Sequence, residues 1–334
     1  MGLREAEVIS VLQKIFTSTD PRIQVGIGDD AAVLKSADNI VHSTELYIEG
    51  IHFDLAYSPL PHLGYKLISA ALSDLAAMNA LPKQVTLGLG LSNRFSVEAV
   101  DELYAGIKTA CEDYQIDLVG GDTTASPQGL IVSVTANGVV DSTQVVTRSN
   151  AKPNDVICVS GDFGGALMGL QSLEREKQVF LANPDMQPEL DNKSYVVLRQ
   201  LKPSARFDII HELRELGVVP TSMIDSSDGL AAEILHLCEA SGTGARIFEK
   251  NIPIDDETYL AATEFNLSPL TAALNGGEDY ELIFTMKQSD YDKITLQEEI
   301  SVIGYMCDKE EGTKLITKGG NTHNITAQGW NAFA

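Results

Sequence analysis

Cysteine is scarce in this chain, and the four present, Cys111, Cys158, Cys238 and Cys307, are dispersed without a C-x-x-C pair. That spacing suggests neither a zinc site nor a disulfide framework, so reduced thiols in cores are expected. Basic residues are also few: 24 lysines and arginines stand against 47 acids, a formal net charge of -23. Such a balance argues against nucleic-acid or anionic-membrane binding by a long-range field. A phosphate ligand would then need divalent cations as a bridge, although solubility alone is a common reason for an acidic excess. Long apolar runs are missing, with nowhere about eighteen such residues in a row. The start, Met1-Gly2-Leu3-Arg4-Glu5-Ala6, has no apolar stretch of the kind a secretory signal carries. A cytoplasmic protein is expected. No G-x-x-x-x-G-K-[ST] loop and no G-x-S-x-G elbow occur, which removes a Walker-type phosphate loop and makes Ser-His-Asp hydrolysis a poor fit. There is no internal repeat and no low-complexity tract.

What is present is enough apolar material, 44% of 334 residues, for two globular domains. Val25-Gly26-Ile27-Gly28-Asp29-Asp30-Ala31-Ala32-Val33-Leu34 places two adjacent carboxylates between glycines and strand-like apolar residues. Like charges so close resist joint ionisation unless a cation or a set of donors compensates them. Taken alone the stretch reads as a solvated turn, but similar settings recur at Asp74, Asp122, Asp225, Asp228, Glu278 and Asp279, each beside an apolar run.

Periodicity places these residues on elements. A helix is expected over 3–17, then a strand over 40–47 carrying Ser43, Thr44 and Glu45 toward its end. Those oxygens are of the hard type that Mg²⁺ accepts, and an edge-strand surface explains them equally well. His52 shows no metal-binding spacing and is held as a substrate contact only. The helix over 62–78 sets Asp74 among small apolar residues, where it is either buried against donors or bound to metal. A strand with one covered face spans 85–91, a helix 97–114, and a short strand 116–119 ends in Gly120-Gly121-Asp122-Thr123-Thr124, whose glycines admit a ligand to the backbone. A strand over 131–140 closes the first domain. The polar stretch 147–155 marks the boundary, giving domains 1–146 and 147–334. Beyond it, strand 156–159, Ser160-Gly161-Asp162-Phe163-Gly164-Gly165 and a helix through 173 form a ready anion site. Residues 177–193 read as a mobile surface segment. Helices are expected over 194–201 and 205–216. Asp225-Ser226-Ser227-Asp228 leads into a helix over 231–240, with Ser227 or Asp228 as its N-cap; capping leaves Asp225 unexplained. Gly276-Gly277-Glu278-Asp279-Tyr280-Glu281 precedes another strand, and Trp330, the single tryptophan, is either a docking anchor or a stacking ring.

Distributed aspartates with hydroxyls, glycine-rich approaches and a few cations suit Mg²⁺-phosphate chemistry, in which positioning and charge neutralisation supply most of the catalysis. Glycoside hydrolysis needs only two carboxylates and leaves the hydroxyls and glycines without a role.

The motifs G-I-G-D-D-A-A-V-L (26–34), S-T-E-L-Y-I-E-G-I-H-F (43–53), L-S-D-L-A-A-M (72–78), G-G-D-T-T (120–124), T-R-S-x-A-K-P-x-D (147–155), D-S-S-D-G-L (225–230) and G-G-E-D-Y-E-L (276–282) resemble, in order and over almost the whole chain, the thiamine-monophosphate kinase family. Several are shared with aminoimidazole ribonucleotide synthetase, selenophosphate synthetase and the hydrogenase-maturation dehydratases; E-G-I-H-F and G-G-E-D-Y-E-L point to the thiamine-phosphate branch. The resemblance implies an α/β protein with mixed sheets, in a two-domain aminoimidazole-ribonucleotide-synthetase-like fold, the N-terminal domain pairing in a homodimer. It implies transfer of the γ-phosphoryl group of ATP to thiamine monophosphate. It assigns Mg²⁺ to Asp30, Ser43, Thr44, Glu45, Asp74, Asp122, Asp225 and Asp228, with Asp30, Asp74, Asp122 and Asp225 the catalytic carboxylates. ATP falls to Tyr104, Gly121, Asp122, Arg148 and Ser227, and thiamine monophosphate to His52, Glu278 and Trp330. Glu45 stands where the family usually has aspartate, and Asn79 and Asn150 replace common glycines, which asparagine can mimic in a left-handed turn. Two further readings stay open: another ATP-dependent enzyme of the same superfamily, and a catalytically silent ATP- and Mg²⁺-binding protein.

Overall fold

The computed structural model describes residues 23–25, 29, 31–35 and 39–328. The expected helix over 3–17, Asp30 and Trp330 lie outside them. The first half of the chain builds β1 (Ile23–Val25), β2 (Ala32–Lys35), β3 (Asn39–Ile48), α1 (Leu60–Ala77), β4 (Leu81–Leu91), α2 (Val97–Asp113), β5 (Asp117–Ala125) and β6 (Leu130–Val140). Its strands form one mixed sheet in the order β1-β2-β3-β6-β4-β5. β6, the last strand made, lies inside the sheet, antiparallel to both β3 and β4. Its alternation of buried and half-buried residues is the period-2 pattern of a strand with one covered face. The cover is α1, almost wholly buried, whose Leu67, Ile68, Leu72 and Leu75 are shielded from solvent. Asn79 ends that helix at φ 55°, and Asn150 holds φ 90°, so both asparagines take the left-handed geometry expected of them.

The second half contributes β7 (Val156–Ser160), α3 (Gly165–Ala182), α4 (Ser194–Leu201), α5 (Phe207–Glu215), β8 (Ser222–Asp225), α6 (Leu230–Ser241), β9 (Gly244–Phe248), α7 (Asp256–Glu264), α8 (Pro269–Asn275), β10 (Leu282–Met286), β11 (Ile300–Cys307), β12 (Thr313–Ile316) and β13 (Thr322–Asn324). Its sheet runs β13-β12-β9-β11-β7-β10-β8, again mixed, with β12 parallel to β9 and the other pairs antiparallel. The α/β, mixed-sheet fold class is therefore the one observed. One continuous apolar cluster joins the halves: Leu67, Leu72 and Leu75 of α1 share it with Met223, Leu282 and Phe284 of the second sheet. All four cysteines are free, three of them buried. Among the described residues no helix is long and apolar enough to cross a membrane.

Several local expectations change. Ser43, Thr44 and Glu45 lie in the middle of β3, because pairing with β6 extends the strand to Ile48. β5 continues through Gly120, Gly121 and Asp122 to Ala125 instead of ending before them, held in parallel register by β4. A Cβ on Gly121 would lie 2.1 Å from the Leu87 carbonyl oxygen, so glycine is needed there for strand pairing. The helix expected to stop near 173 runs on to Ala182, so the first part of the supposed mobile segment is helical. Its burial ceases after Glu176, which leaves the last turns without an apolar stripe to announce them.

Candidate functional site

A cavity of about 840 Å³ opens between the two halves. β3 supplies Glu45 and Tyr47 to its wall, the loop after β3 supplies His52 and Asp54, and α1 supplies Lys66, Ala70 and Asp74. Successive spacings of four put the last three on one helix face. From the second half come Glu174 and Lys177 of α3, Asp225 at the end of β8, Ser227 and Asp228 before α6, and Glu278 and Tyr280 before β10.

Of the residues singled out from sequence, Thr44, Glu45, Asp74, Asp225, Asp228, Ser227, His52 and Glu278 line this one cavity. Ser43 stands behind it, buried, and donates its hydroxyl to the Asp74 carboxylate. Thr44 borders the cavity while its hydroxyl meets that of Thr135 across strands at 2.9 Å. Tyr104, Gly121, Asp122 and Arg148 do not line it. Gly121 and Asp122 are on β5, an edge strand exposed along its whole length. The Arg148 carbonyl accepts the Ser241 hydroxyl at 3.2 Å.

Two expectations about the loops are corrected by their hydrogen bonds. The N-terminus of α3 is not left for an external anion, because the Asp279 carboxylate accepts from Gly164 N at 2.7 Å and Ala166 N at 3.1 Å. The N-cap of α6 is Gly229, with no side-chain cap. Glu233 instead reaches back from the first turn to accept the Asp228 amide at 3.0 Å. Burial pushes the Glu233 carboxyl well above the usual carboxylate range. Asp228 is thus held by Glu233 with its own side chain at the cavity.

The segment 277–280 is shaped to present Glu278. Its backbone turns left-handed at Glu278 (φ 63°) and Tyr280 (φ 53°), an uncommon geometry for such residues. Bonds from Glu278 N to Ser227 O at 2.8 Å and from Tyr280 N to Ser226 O at 2.9 Å hold it. A Cβ at Gly277 would come within 2.4 Å of Ser227 O, so only glycine lets the two loops approach. Beneath lies a buried network: Glu281 receives Arg199 at 2.8 Å, Arg206 at 2.5 Å and the Ser160 hydroxyl at 2.5 Å. Burying that carboxylate is tolerable because it is paired on every side.

The wall is strongly acidic, and its two lysines are engaged. Lys66 bonds Glu278 at 3.0 Å, and Lys177 bonds Asp54 at 2.5 Å. Neither lysine was singled out from sequence. For Lys66 a signal existed, a lone cation on the apolar face of a helix two turns before Asp74; for Lys177 none did, since its segment lacks periodicity. His52 Nδ1 accepts the Ile48 amide at 3.0 Å, which leaves Nε2 to carry the proton. Tyr47 packs edge-on to the His52 ring, and burial with Glu45 and Asp74 nearby raises its phenol pKa well above the ordinary value.

The donor set suits Mg²⁺. The carboxylates of Glu45, Asp74, Asp225 and Asp228, with the Ser227 hydroxyl, are hard oxygen donors of the kind Mg²⁺ accepts, and His52 lines the same cavity. Among the described residues no three histidine, cysteine, aspartate or glutamate side chains converge as a ready-made metal cage. That is compatible with Mg²⁺, which keeps waters and is usually held by one or two carboxylates together with substrate phosphates.

Comparison with known proteins places this geometry. A family model described as AIR synthase related protein, N-terminal domain, matches residues 28–140. Thiamine-monophosphate kinase of Bacillus subtilis is 31% identical over 320 residues, 93% of this chain and 94% of that protein. The solved structure of AaThiL complexed with AMPPCP and TMP matches with a TM-score of 0.83 at 28% identity, over 99% of this chain and 97% of that one. Thiamine monophosphate kinase (ThiL) from Aquifex aeolicus matches with a TM-score of 0.78 at 26% identity, over 96% of this chain and 100% of that one.

Proposed function

This chain belongs to the thiamine-monophosphate kinase family, and we propose that it transfers the γ-phosphoryl group of ATP to the phosphate of thiamine monophosphate, with Mg²⁺, giving thiamine diphosphate and ADP. The observation that carries this reading is the one cavity that Glu45, Asp74, Asp225, Asp228, Ser227, His52 and Glu278 line together from both halves of the molecule. The relative named as complexed with AMPPCP and TMP adds the nature of the two ligands.

In the reaction an oxygen of the acceptor phosphate attacks the γ-phosphorus in line, and the bond from that phosphorus to the β–γ bridging oxygen breaks. No side chain has to remove a proton, because a phosphate monoester, with a second pKa of about 6, is largely ionised at neutral pH. Transfer is direct, without a phospho-enzyme. The protein's task is to hold two polyanions in register. Mg²⁺, when bound, would neutralise the repulsion between them. Several ions are expected: Glu45, Asp74, Asp225 and Asp228 would hold those at the cavity, with Asp30 and Thr44, while Asp122, on the exposed β5 edge, would serve one outside it. Ser43 orients Asp74 from behind, as partners of metal ligands commonly do. His52 and Glu278 would meet the thiamine moiety, with Trp330.

Tyr104, Gly121, Asp122 and Arg148, with Ser227, are assigned to the nucleotide. The first four do not line the cavity, which suits a homodimer whose nucleotide site is near the subunit boundary. The exposed β5 edge, with Leu118 and Val119 uncovered, supports that pairing. Division at 146/147 is supported by the two sheets, which separate between β6 and β7.

The test is to incubate the purified protein with ATP, Mg²⁺ and thiamine monophosphate and to follow thiamine diphosphate by chromatography, with an EDTA control. Metal-dependent product is expected. Binding of ATP without product would overturn the acceptor assignment, and a burst of acid-stable label from γ-labelled ATP would overturn direct transfer.

A further inference from the structure

Lys66 is buried on α1, and its ammonium donates to two acceptors in the second half of the molecule: Glu278 Oε2 at 3.0 Å and the Gln200 carbonyl at 3.0 Å. Gln200 closes the triangle, its Nε2 donating to the same Glu278 Oε2 at 2.8 Å. A buried ammonium requires a counter-charge, and Glu278 is the one carboxylate Lys66 bonds among the described residues. Both donors go to one oxygen. Among the described residues Oε1 receives no hydrogen bond, and the side chain, 29% exposed, lies on the cavity wall. Two donors on Oε2 restrict rotation of the carboxylate, and the left-handed backbone at Glu278 sets where its side chain leaves the loop.

We propose that Lys66 is a positioning residue for substrate specificity, aiming Glu278 Oε1 into the cavity to meet the positive thiazolium ring of the acceptor. This rests on the thiamine-phosphate reading above. One carboxylate serves two cations: the fixed one anchors Oε2 from α1, and the substrate's takes Oε1. Because Lys66 and Asp74 share a helix face, the same helix sets the distance between the ring-binding carboxylate and the metal-binding wall.

The test is a double-mutant cycle with Lys66→Met and Glu278→Gln, read as separate KM values for thiamine monophosphate and for ATP. Preference is measured in parallel over an analogue in which a neutral thiophene replaces the thiazolium. Lys66→Met should raise KM for thiamine monophosphate on the order of tenfold or more while leaving KM for ATP near wild type. It should also reduce the preference for the charged ring, as Glu278→Gln does. The double variant should be no worse than the worse single, since both remove one interaction. Lys66→Arg should retain most of the preference. Additive losses, or equal rises in both KM values, would mean that Lys66 is only a strut between the halves and would overturn the inference. If Lys66→Met does not fold, Gln200→Leu takes its place, with the same pattern at smaller amplitude, and an unchanged charge preference there overturns it as well. A wild type that phosphorylates thiamine monophosphate with no preference for the charged ring removes this inference alone. One that does not phosphorylate it removes the functional reading and this inference with it.

Discussion

Asp279 accepts the backbone amide of Gly164 at 2.7 Å, so a carboxylate from one loop fills the helix N-terminus begun by another. The glycine-rich turn after β7 is thereby committed to internal structure, and the loop bearing Glu278 is tied to α3 one residue beyond it.

The burial of Asp279 makes stability depend on pH. Burial pushes Asp279 up to about 7, against the pull of Arg199 and the two amides. In the unfolded chain the group titrates near 3.9, the ordinary aspartate value. Between these values the folded protein holds a proton the unfolded chain has released, so this group's contribution is full below about pH 4 and is lost as pH rises through about 7. The melting temperature of the wild type relative to Asp279→Asn should fall across that window, and a flat difference would contradict it.

Glu281 is the shared counter-charge of Arg199 and Arg206, both largely buried. Glu281→Gln keeps the shape and removes the charge, leaving two guanidinium groups under-compensated. Urea unfolding should show a loss of about 3–5 kcal/mol, the range for breaking one side of a buried pair.

Gly277→Ala should damage the site more than the fold. Its Cβ would force the Ser227 carbonyl away and, with it, the strand-like contact that holds Glu278. We expect a loss of roughly 1–3 kcal/mol in stability and a larger proportional rise in KM for thiamine monophosphate than for ATP, measured by steady-state kinetics.

Ser43→Ala and Asp74→Asn separate the proposed metal ligand from its support. Asp74→Asn should lower kcat on the order of 10²-fold or more. Ser43→Ala should cost roughly ten- to hundredfold in Mg²⁺ affinity, recoverable by raising Mg²⁺. Titrating activity against Mg²⁺ distinguishes the two.

Much of the site was legible because its carboxylates stand where bare charge is costly, among small apolar residues at element ends. Asp74 and Asp225 are such cases, and both reach the cavity. Helix α4 matched its expected span, and the left-handed asparagines followed from their replacing glycine. What stayed hidden depends on neighbours distant in sequence. Period-2 alternation gives β6 its covered face but not its partners, so its central position was invisible. The anion site at α3 was chemically sound, but its occupant is Asp279, more than a hundred residues away. Lys66 stands out in the sequence as a cation on the apolar face of its helix, but the partner that gives it a role, Glu278, comes from the second half.

The central position of β6 also bears on how the protein is made. β3 pairs with β6 along its full length, from Asn39 with Val140 to Ile48 with Ile131. Such distant pairing closes a long loop and is slow to form. As the chain leaves the ribosome, β3 and β4 therefore wait, with open edges, for a strand not yet translated. Until β6 emerges the nascent first half exposes edges able to pair with other chains, and this interval is where its demand for chaperone protection should be greatest.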